Sequence, residues 1–139
     1  MPAPTPAVTL SVTLDTPPDE VYAYIVDPRN LPVWAAGLAP SVELRGGAWC
    51  IDTPSGPWTI AFAEHNAFRV ADHVVTQPDG TRQLNPMRVL PNGLGSEVTF
   101  TVFRGEVSTD EEWASLQHTI QADLDALGPA LQRRTHPPV

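Results

Sequence analysis

The stretch from Ser108 to Arg133 has the spacing of a single amphipathic helix, and this feature constrains the fold most. Its apolar residues recur every three or four positions and form one stripe: Trp113, Leu116, Ile120, Leu124, Leu127 and Leu131. Ser108 and Glu111 have the spacing of a capping box, and Gly128-Pro129 predicts a kink or an end near the last turns. Because one apolar stripe cannot bury itself, the rest of the chain must supply a partner surface.

The sequence before this helix predicts antiparallel strands with two short helices after the first strand. Val8 to Leu14 alternates apolar and polar residues, as in a half-buried strand. A first short helix, with Thr16 as N-cap and Pro17 at its first position, is stopped by Pro28, and a second covers Asn30–Trp34. Six further segments, separated by Gly, Pro and Asn turns, have strand character: Val42–Arg45, Ala48–Thr53, Trp58–Ala63, Arg69–Thr76, Thr81–Leu90 and Ser96–Arg104.

These elements predict an α+β fold in which a seven-stranded curved antiparallel sheet wraps around the long C-terminal helix. With 139 residues the chain forms one domain, and we expect residues 1–6 and 135–139 to be flexible tails. The two short helices close one end of the sheet. Since one helix cannot fill the concave face of so wide a sheet, we expect a cavity between them.

Charge and composition exclude several classes of function. Sixteen acidic residues against eight basic ones, all of them arginine, give a net charge of −8, which argues against nucleic acid and anionic membranes as partners. Cys50 is the only cysteine, so neither an internal disulfide nor a cysteine-rich metal site is expected. The sequence has no membrane-spanning run and no signal-peptide pattern, so we expect a cytoplasmic protein. No cofactor motif is present, and we expect no cofactor.

The lengths of the turns decide which side chains face the predicted interior. If Ser55-Gly56, Asp79-Gly80 and Asn92-Gly93 are two-residue turns, Asp72 lies opposite Met87 and Arg88 lies opposite Glu97. The inward face then collects a large apolar set: Trp49, Ile51, Trp58, Ile60, Phe62, Val70, Val74, Met87, Val98, Phe100 and Val102. A three-residue turn at any hairpin would invert part of this set.

The chain resembles the START/Bet v 1-like (SRPBCC) superfamily, in particular its bacterial polyketide cyclase/dehydrase branch. The resemblance covers nearly the whole chain and is carried by six segments: Pro18–Ile25, Asp27–Trp34 with its Asp-Pro and Trp, Ala71–His73, Met87–Val89, Pro91–Thr101 and Asp123–Leu127. It implies the helix-grip fold and an apolar cavity between sheet and long helix, entered beside the short helices. The superfamily includes lipid carriers, cyclases, hormone receptors and chaperone activators, so it does not fix one function.

The candidate ligand-binding residues are large apolar side chains with a few polar groups among them, as is usual in ligand pockets. They are Trp34, Trp49, Trp58, Phe62, Asp72, Asn85, Met87, Phe100, Trp113 and Gln117. Gln83 is a further polar candidate. The competing interpretation is that the four tryptophans simply fill the core.

Asp72 is the candidate catalytic residue if the protein is an enzyme. On an apolar concave face its carboxyl would have a raised pKa and could act as acid or base. The alternative is that Asp72 faces water or pairs with an arginine across the sheet. With Asp72 on the inward face, His73 points the other way, and we expect it to be a surface histidine. Glu64, His65, Asp72 and His73 match no metal-ligand spacing, and we predict no metal site.

Three functions are compatible with the sequence. The first is binding of a small hydrophobic or aromatic molecule, lipid-like or polyketide-like, by a monomer or homodimer. The second is a polyketide cyclase or dehydratase that uses the same cavity, with Asp72 and Asn85 moving protons. The third is a chaperone-interacting domain that docks through its outer sheet face near Phe103. The number of polar groups in the cavity separates the first two, since a hydrogen-bonded set favours chemistry.

Overall fold

The structure, a computed structural model, describes residues 3–105 and 109–134. The element order is that expected from the sequence, with eight strands rather than seven. In chain order the elements are β1 (Ala7–Leu14), α1 (Pro18–Ile25), a 3-10 turn (Pro28–Asn30), α2 (Leu31–Trp34), β2 (Glu43–Arg45), β3 (Ala48–Thr53), β4 (Gly56–Phe62), β5 (His73–Thr76), β6 (Arg82–Asn85), β7 (Met87–Asn92), β8 (Gly95–Phe103) and α3 (Asp110–Arg133).

The strands form two antiparallel sheets, one of three strands in the order β1-β8-β7 and one of five in the order β2-β3-β4-β5-β6. The eighth strand arises because Pro86 divides the predicted strand Thr81–Leu90 into β6 and β7. Proline has no N–H to donate to a strand ladder, whereas its carbonyl still accepts a 3.0 Å hydrogen bond from Thr101. At this residue the chain passes from the larger sheet to the smaller one.

Helix α3 begins one residue later than the predicted cap implied. Thr109 is the N-cap, and its hydroxyl accepts from the Glu112 N–H at 3.0 Å and lies 3.0 Å from the Glu112 carboxylate. Ser108, the predicted cap, lies outside the described residues. Pro129 lies inside the helix and does not end it, since α3 continues to Arg133. The predicted stripe is the buried face: Ile120, Leu124, Leu127 and Leu131 are buried and Trp113 and Leu116 are half-buried.

Two of the three hairpins differ from the predicted register by two residues, which leaves every side chain on its predicted face. Ile51 pairs with Trp58 across a Pro54-Ser55 turn, and Met87 pairs with Phe100. Arg88 therefore lies opposite Thr99, and the predicted Arg88–Glu97 pair is wrong.

The third hairpin differs by one residue, which turns over the face of a whole strand. Its turn is closed by the Gln77 N–H, which donates to the Thr81 carbonyl at 2.8 Å and leaves three residues between them. His73 consequently pairs with Asn85, and Val75 with Gln83. His73 and Val75 occupy the inward positions on β5 that were predicted for Asp72 and Val74.

The main core lies between α1, α3 and the smaller sheet. Its fully buried side chains include Val21, Ile25, Met87, Val89, Val98, Leu124 and Leu127. None of the helices in the described part of the chain is long and apolar enough to cross a membrane.

Candidate functional site

A cavity of about 320 Å³ lies between the larger sheet, α2 and α3. Its walls come from four parts of the fold and are mainly apolar. The lining residues are Leu31, Trp34, Ala35, Gly37, Leu38 and Ala39 from α2 and the segment after it; Ile51, Thr53, Trp58, Ile60, His73, Val75, Gln77, Gln83 and Asn85 from the larger sheet and its turns; Phe100 and Val102 from β8; and Leu116, Ile120, Asp123 and Leu124 from α3. A space of this size between sheet and helix is what the wide sheet led us to expect.

Four of the ten candidate ligand-binding residues line this cavity, namely Trp34, Trp58, Asn85 and Phe100. The polar candidate Gln83 lines it as well. These side chains come from α2, β4, β6 and β8, so residues distant in the sequence are brought to one space. Their role in ligand binding remains a prediction.

The other candidates lie away from the cavity. Met87 is completely buried in the main core, and Trp113 is half-buried against it. The Gln117 side-chain amide donates to the Trp113 carbonyl at 3.4 Å. Trp49 and Phe62 border a separate hollow beside the 3-10 turn. Trp49 and Trp113 pack against the core, which is the role that the sequence analysis weighed against ligand binding for the tryptophans.

Asp72, the tenth candidate, does not face the interior, so the prediction of a cavity-facing carboxylate is wrong. It accepts hydrogen bonds from the Met87 N–H at 2.8 Å and from the Arg88 guanidinium at 3.1 Å. Burial acts to raise the pKa of Asp72, but the hydrogen bonds from Arg88 and Met87 outweigh it and hold the pKa below its usual value. The cross-sheet ion pair with an arginine, the alternative for this residue, is what the structure contains.

His73 takes the inward position instead and is buried between two aromatic rings. Its ring centre lies 5.0 Å from that of Phe62 and 5.7 Å from that of Phe100. Burial lowers the pKa of His73, so the ring is neutral at pH 7. Nδ1 lies 3.1 Å from the Ala71 carbonyl, which can only accept, so we assign the proton to Nδ1. Nε2 is then a hydrogen-bond acceptor, and His73 lines the cavity.

Asp123 on α3 is the residue that the sequence analysis missed. Its side chain lines the cavity and is only 6 % exposed. Oδ1 accepts from the Gly37 N–H at 3.2 Å, whereas Oδ2 is buried without a partner among the described residues. Burial raises the pKa of this carboxyl to about 6, and the Gly37 N–H opposes that rise only in part. The sequence pattern that could have identified Asp123 is its position on the buried stripe, three residues after Ile120 and four before Leu127.

The cavity residues carry three buried polar atoms that have no hydrogen-bond partner in the part of the chain that the structure describes. They are the indole N–H groups of Trp34 and Trp58 and Oδ2 of Asp123. Buried polar atoms are nearly always hydrogen-bonded, because each one left without a partner costs about 1–3 kcal/mol. The residues that line the cavity therefore contribute two donors and one acceptor whose hydrogen bonds are not made within the described part of the chain.

The polar groups around the cavity are separate rather than joined in a network. His73 bonds to a backbone carbonyl and Asp123 to a backbone N–H, and within residues 3–105 and 109–134 no hydrogen bond links the two side chains. Among the described residues, no group of three His, Cys, Asp or Glu side chains is placed to hold a metal ion.

One family model matches residues 5–132, that of the family described as "Polyketide cyclase / dehydrase and lipid transport". The chain therefore belongs to this family, and with it to the START/Bet v 1-like superfamily that its sequence resembles. No functionally curated protein matches the chain in sequence.

Several solved structures share the fold. The protein TTHA0849 from Thermus thermophilus is 18 % identical with a TM-score of 0.72, over 94 % of this chain and 100 % of that one. The Zhui aromatase/cyclase from Streptomyces sp. R1128 is 19 % identical with a TM-score of 0.66, over 95 % and 96 %. Norcoclaurine synthase from Thalictrum flavum is 15 % identical with a TM-score of 0.60, over 94 % and 88 %. At these identities the likeness concerns the fold, and the predicted helix-grip architecture is confirmed.

Proposed function

We propose that this protein binds a small, largely apolar molecule in the cavity between the larger sheet and α3. The observation that carries the proposal is the cavity of about 320 Å³ with three buried polar atoms that lack partners among the described residues. Ligand pockets in proteins have volumes of this order and combine apolar walls with a few polar groups that fix orientation. Membership of a family described by cyclisation, dehydration and lipid transport supports the same conclusion.

Filling of the cavity would also improve the stability of the fold. Side chains around an empty space lose dispersion contacts on one side, and unsatisfied polar atoms add a further cost. A molecule with apolar rings or chains and one or two polar groups would restore both kinds of contact. A lipid-like or polyketide-like compound has this composition.

The test is to block the cavity and measure ligand binding. Val75 lines the cavity from β5, whereas its neighbour Val74 does not, so Val75→Trp and Val74→Trp form a matched pair. We expect Val75→Trp to weaken binding of the uncharged probe N-phenyl-1-naphthylamine by more than about tenfold, because the new ring occupies its space. Val74→Trp should bind as the wild type does. Probe fluorescence measures the affinity, and native mass spectrometry of the purified protein identifies any apolar molecule that copurifies.

Equal binding by the wild type and a folded Val75→Trp variant would contradict the proposal, as would the absence of any bound probe. Thermal unfolding checks that both variants fold. The comparison with Val74→Trp separates loss of the cavity from a general disturbance of β5.

Asp123 favours a second candidate function, catalysis of a cyclisation or dehydration. With its pKa at about 6, Asp123 is a base at pH 7 and can return the proton as an acid. In such a step the carboxylate removes a proton from a carbon between two carbonyls, and that carbon bonds to the carbon of a third carbonyl, whose oxygen takes the proton back from the carboxylic acid and becomes a hydroxyl. The carboxylate then removes a second proton from the same carbon, a C=C bond forms, and the hydroxyl leaves as hydroxide and takes up that proton to become water. His73, whose Nε2 is an acceptor, lines the same cavity, and in this hypothesis it takes up a second proton.

The enzyme hypothesis predicts repeated turnover that depends on Asp123. Asp123→Asn should lower the rate of conversion of a short poly-β-ketone substrate by roughly 100-fold or more, because the general base is removed. Product formation followed by liquid chromatography measures this. Conversion at the same rate by wild type and variant would exclude catalysis by Asp123, and binding without any turnover would favour the first candidate.

Other expectations from the sequence remain predictions. They concern the cytoplasmic location, the absence of nucleic-acid and membrane partners, and the monomeric or homodimeric state. The exposed Phe103 on β8 is the residue of the outer sheet face that favours the chaperone-interacting alternative.

A further inference from the structure

We propose that the cavity selects its ligand by the direction of hydrogen bonding. In this proposal the cavity accepts molecules whose polar end donates a hydrogen bond, as a hydroxyl or an ammonium does, and it rejects carboxylates. The inference rests on the proposed binding function and specifies the chemical class of the ligand.

Asp123 is a buried acidic residue in the wall of the cavity. Its side chain is only 6 % exposed, and one carboxylate oxygen is already bonded to the Gly37 N–H. The segment around Gly37 lies close against this carboxyl, because a Cβ added at Gly37 would come within 3.0 Å of Oδ1. Oδ2 has no partner among the described residues. A carboxylate oxygen can only accept hydrogen bonds, so the group that satisfies it must be a donor.

The described residues around the cavity carry no positive charge. Among the described residues that line it, none is basic, and His73 is held neutral by burial. Six of the eight arginines instead form ion pairs with acidic residues elsewhere: Arg29, Arg45, Arg69, Arg88, Arg104 and Arg134. A ligand carboxylate would be desolvated without a counter-ion and would meet the negative charge of Asp123, and both effects oppose its binding.

Two tryptophans that line the cavity, Trp34 and Trp58, carry indole N–H donors. The Trp34 and Trp58 N–H donors are buried without partners in the described part of the chain and can satisfy uncharged acceptors on the ligand, such as a carbonyl, ether or hydroxyl oxygen. Their rings also favour a cation over an anion, since the face of an indole ring is electron-rich. The ligand should therefore carry a donor group for Asp123 and uncharged acceptors for the tryptophans. An apolar molecule with a hydroxyl or an amine meets this requirement, and a fatty acid does not.

A series of four naphthalene derivatives with one skeleton tests this proposal. The compounds are 2-naphthylmethylamine, 2-naphthalenemethanol, 2-methylnaphthalene and 2-naphthoate, and each is titrated into the wild-type protein at pH 7.5 by calorimetry or tryptophan fluorescence. We expect the amine and the alcohol to bind at least about fivefold more tightly than the methyl compound. The carboxylate should bind at least about tenfold more weakly than the methyl compound.

Two variants test whether Asp123 causes the selectivity for donor groups. Asp123→Asn should reduce the advantage of the amine and improve relative binding of 2-naphthoate, because the negative charge is removed. Asp125→Asn, on the exposed face of the same helix, should leave the ranking unchanged. The wild-type ranking is itself a test that requires no variant.

The outcomes separate this inference from the proposed function. If 2-methylnaphthalene and 2-naphthoate bind as well as the amine and the alcohol, the selectivity is overturned while hydrophobic binding stands. The same holds if the ranking survives in Asp123→Asn. If none of the four compounds binds, the proposed function falls, and the inference falls with it.

Discussion

Replacement of Asp123 by Asn is expected to stabilise the ligand-free protein by about 2 kcal/mol at pH 8. The carboxyl is ionised at this pH although burial disfavours its charge, and the rise of its pKa from 3.8 to about 6 measures that penalty. The full rise corresponds to roughly 3 kcal/mol, and the buried amide N–H groups of the new asparagine offset part of the gain. The asparagine oxygen can still accept from the Gly37 N–H.

The gain in stability should depend on pH in a defined direction. Well below pH 3.8 the carboxyl of Asp123 is protonated in both folded and unfolded chains, and the electrostatic gain vanishes. Between about pH 4 and 6 the folded chain holds the proton more tightly than the unfolded one, so the penalty grows as pH rises. Above about pH 6 the penalty is complete. Urea denaturation of wild type and variant at pH 4, 5, 6, 7 and 8 measures the difference.

His73 has the opposite pH dependence but does not disturb the comparison. Burial lowers its pKa, so its contribution destabilises the fold as pH falls below 6.5. Because His73 is present in both proteins, its effect cancels in the difference between them. Asp125→Asn serves as the exposed control and should show little change. A variant that is less stable than the wild type at pH 8 would contradict the buried, partnerless state of Asp123 Oδ2 among the described residues.

Truncation of Leu124 is expected to lower the free energy of unfolding by about 2–5 kcal/mol and to widen the cavity. Leu124 is completely buried and lines the cavity from α3, so its removal enlarges the space already present. Leu124→Ala should therefore shift the preference from two-ring towards three-ring apolar ligands. Leu127 is equally buried on the same stripe but does not line the cavity, which makes Leu127→Ala the matched control.

Both truncations should reduce stability to a similar degree in urea denaturation. Only Leu124→Ala should improve the affinity for a three-ring compound, such as anthracene-methanol, relative to its naphthalene counterpart. An equal shift in both variants would mean that looser packing of α3, rather than the cavity wall, controls the size of the ligand. If neither variant changes its preference for three-ring over two-ring ligands, Leu124 does not determine the size of the ligand.

The fold could be predicted from the sequence because several local patterns agree. The stripe from Leu116 to Leu131 requires a long helix with one buried face, and the Gly- and Pro-containing turns mark the hairpins. Two registers were wrong by two residues, which changed the cross-strand partners but not the face of any side chain, since side chains in a strand alternate with a period of two. The overall architecture therefore tolerates errors in turn length that keep this parity.

The site could be predicted only in part because it depends on details that turn residues do not fix. The Pro78-Asp79-Gly80 turn has one residue more than the Asp-Gly pair suggested, and this exchanged Asp72 for His73 on the inward face. Asp123 was overlooked because a charged residue within an apolar stripe is normally assigned to the solvent side. An acidic residue at three and four positions from buried leucines and isoleucines is a usable signal for a buried carboxylate.

The break at Pro86 also shortens an outer strand of the larger sheet. It limits β6 to the four residues Arg82–Asn85, and at the other end of the larger sheet β2 has only the three residues Glu43–Arg45. Long, flat outer strands expose unpaired N–H and C=O groups to which a second molecule can add, and short strands with charged side chains discourage this. Arg82, Glu43 and Arg45 supply such charges. The larger sheet thus wraps around the cavity with only short strands at its two outer positions.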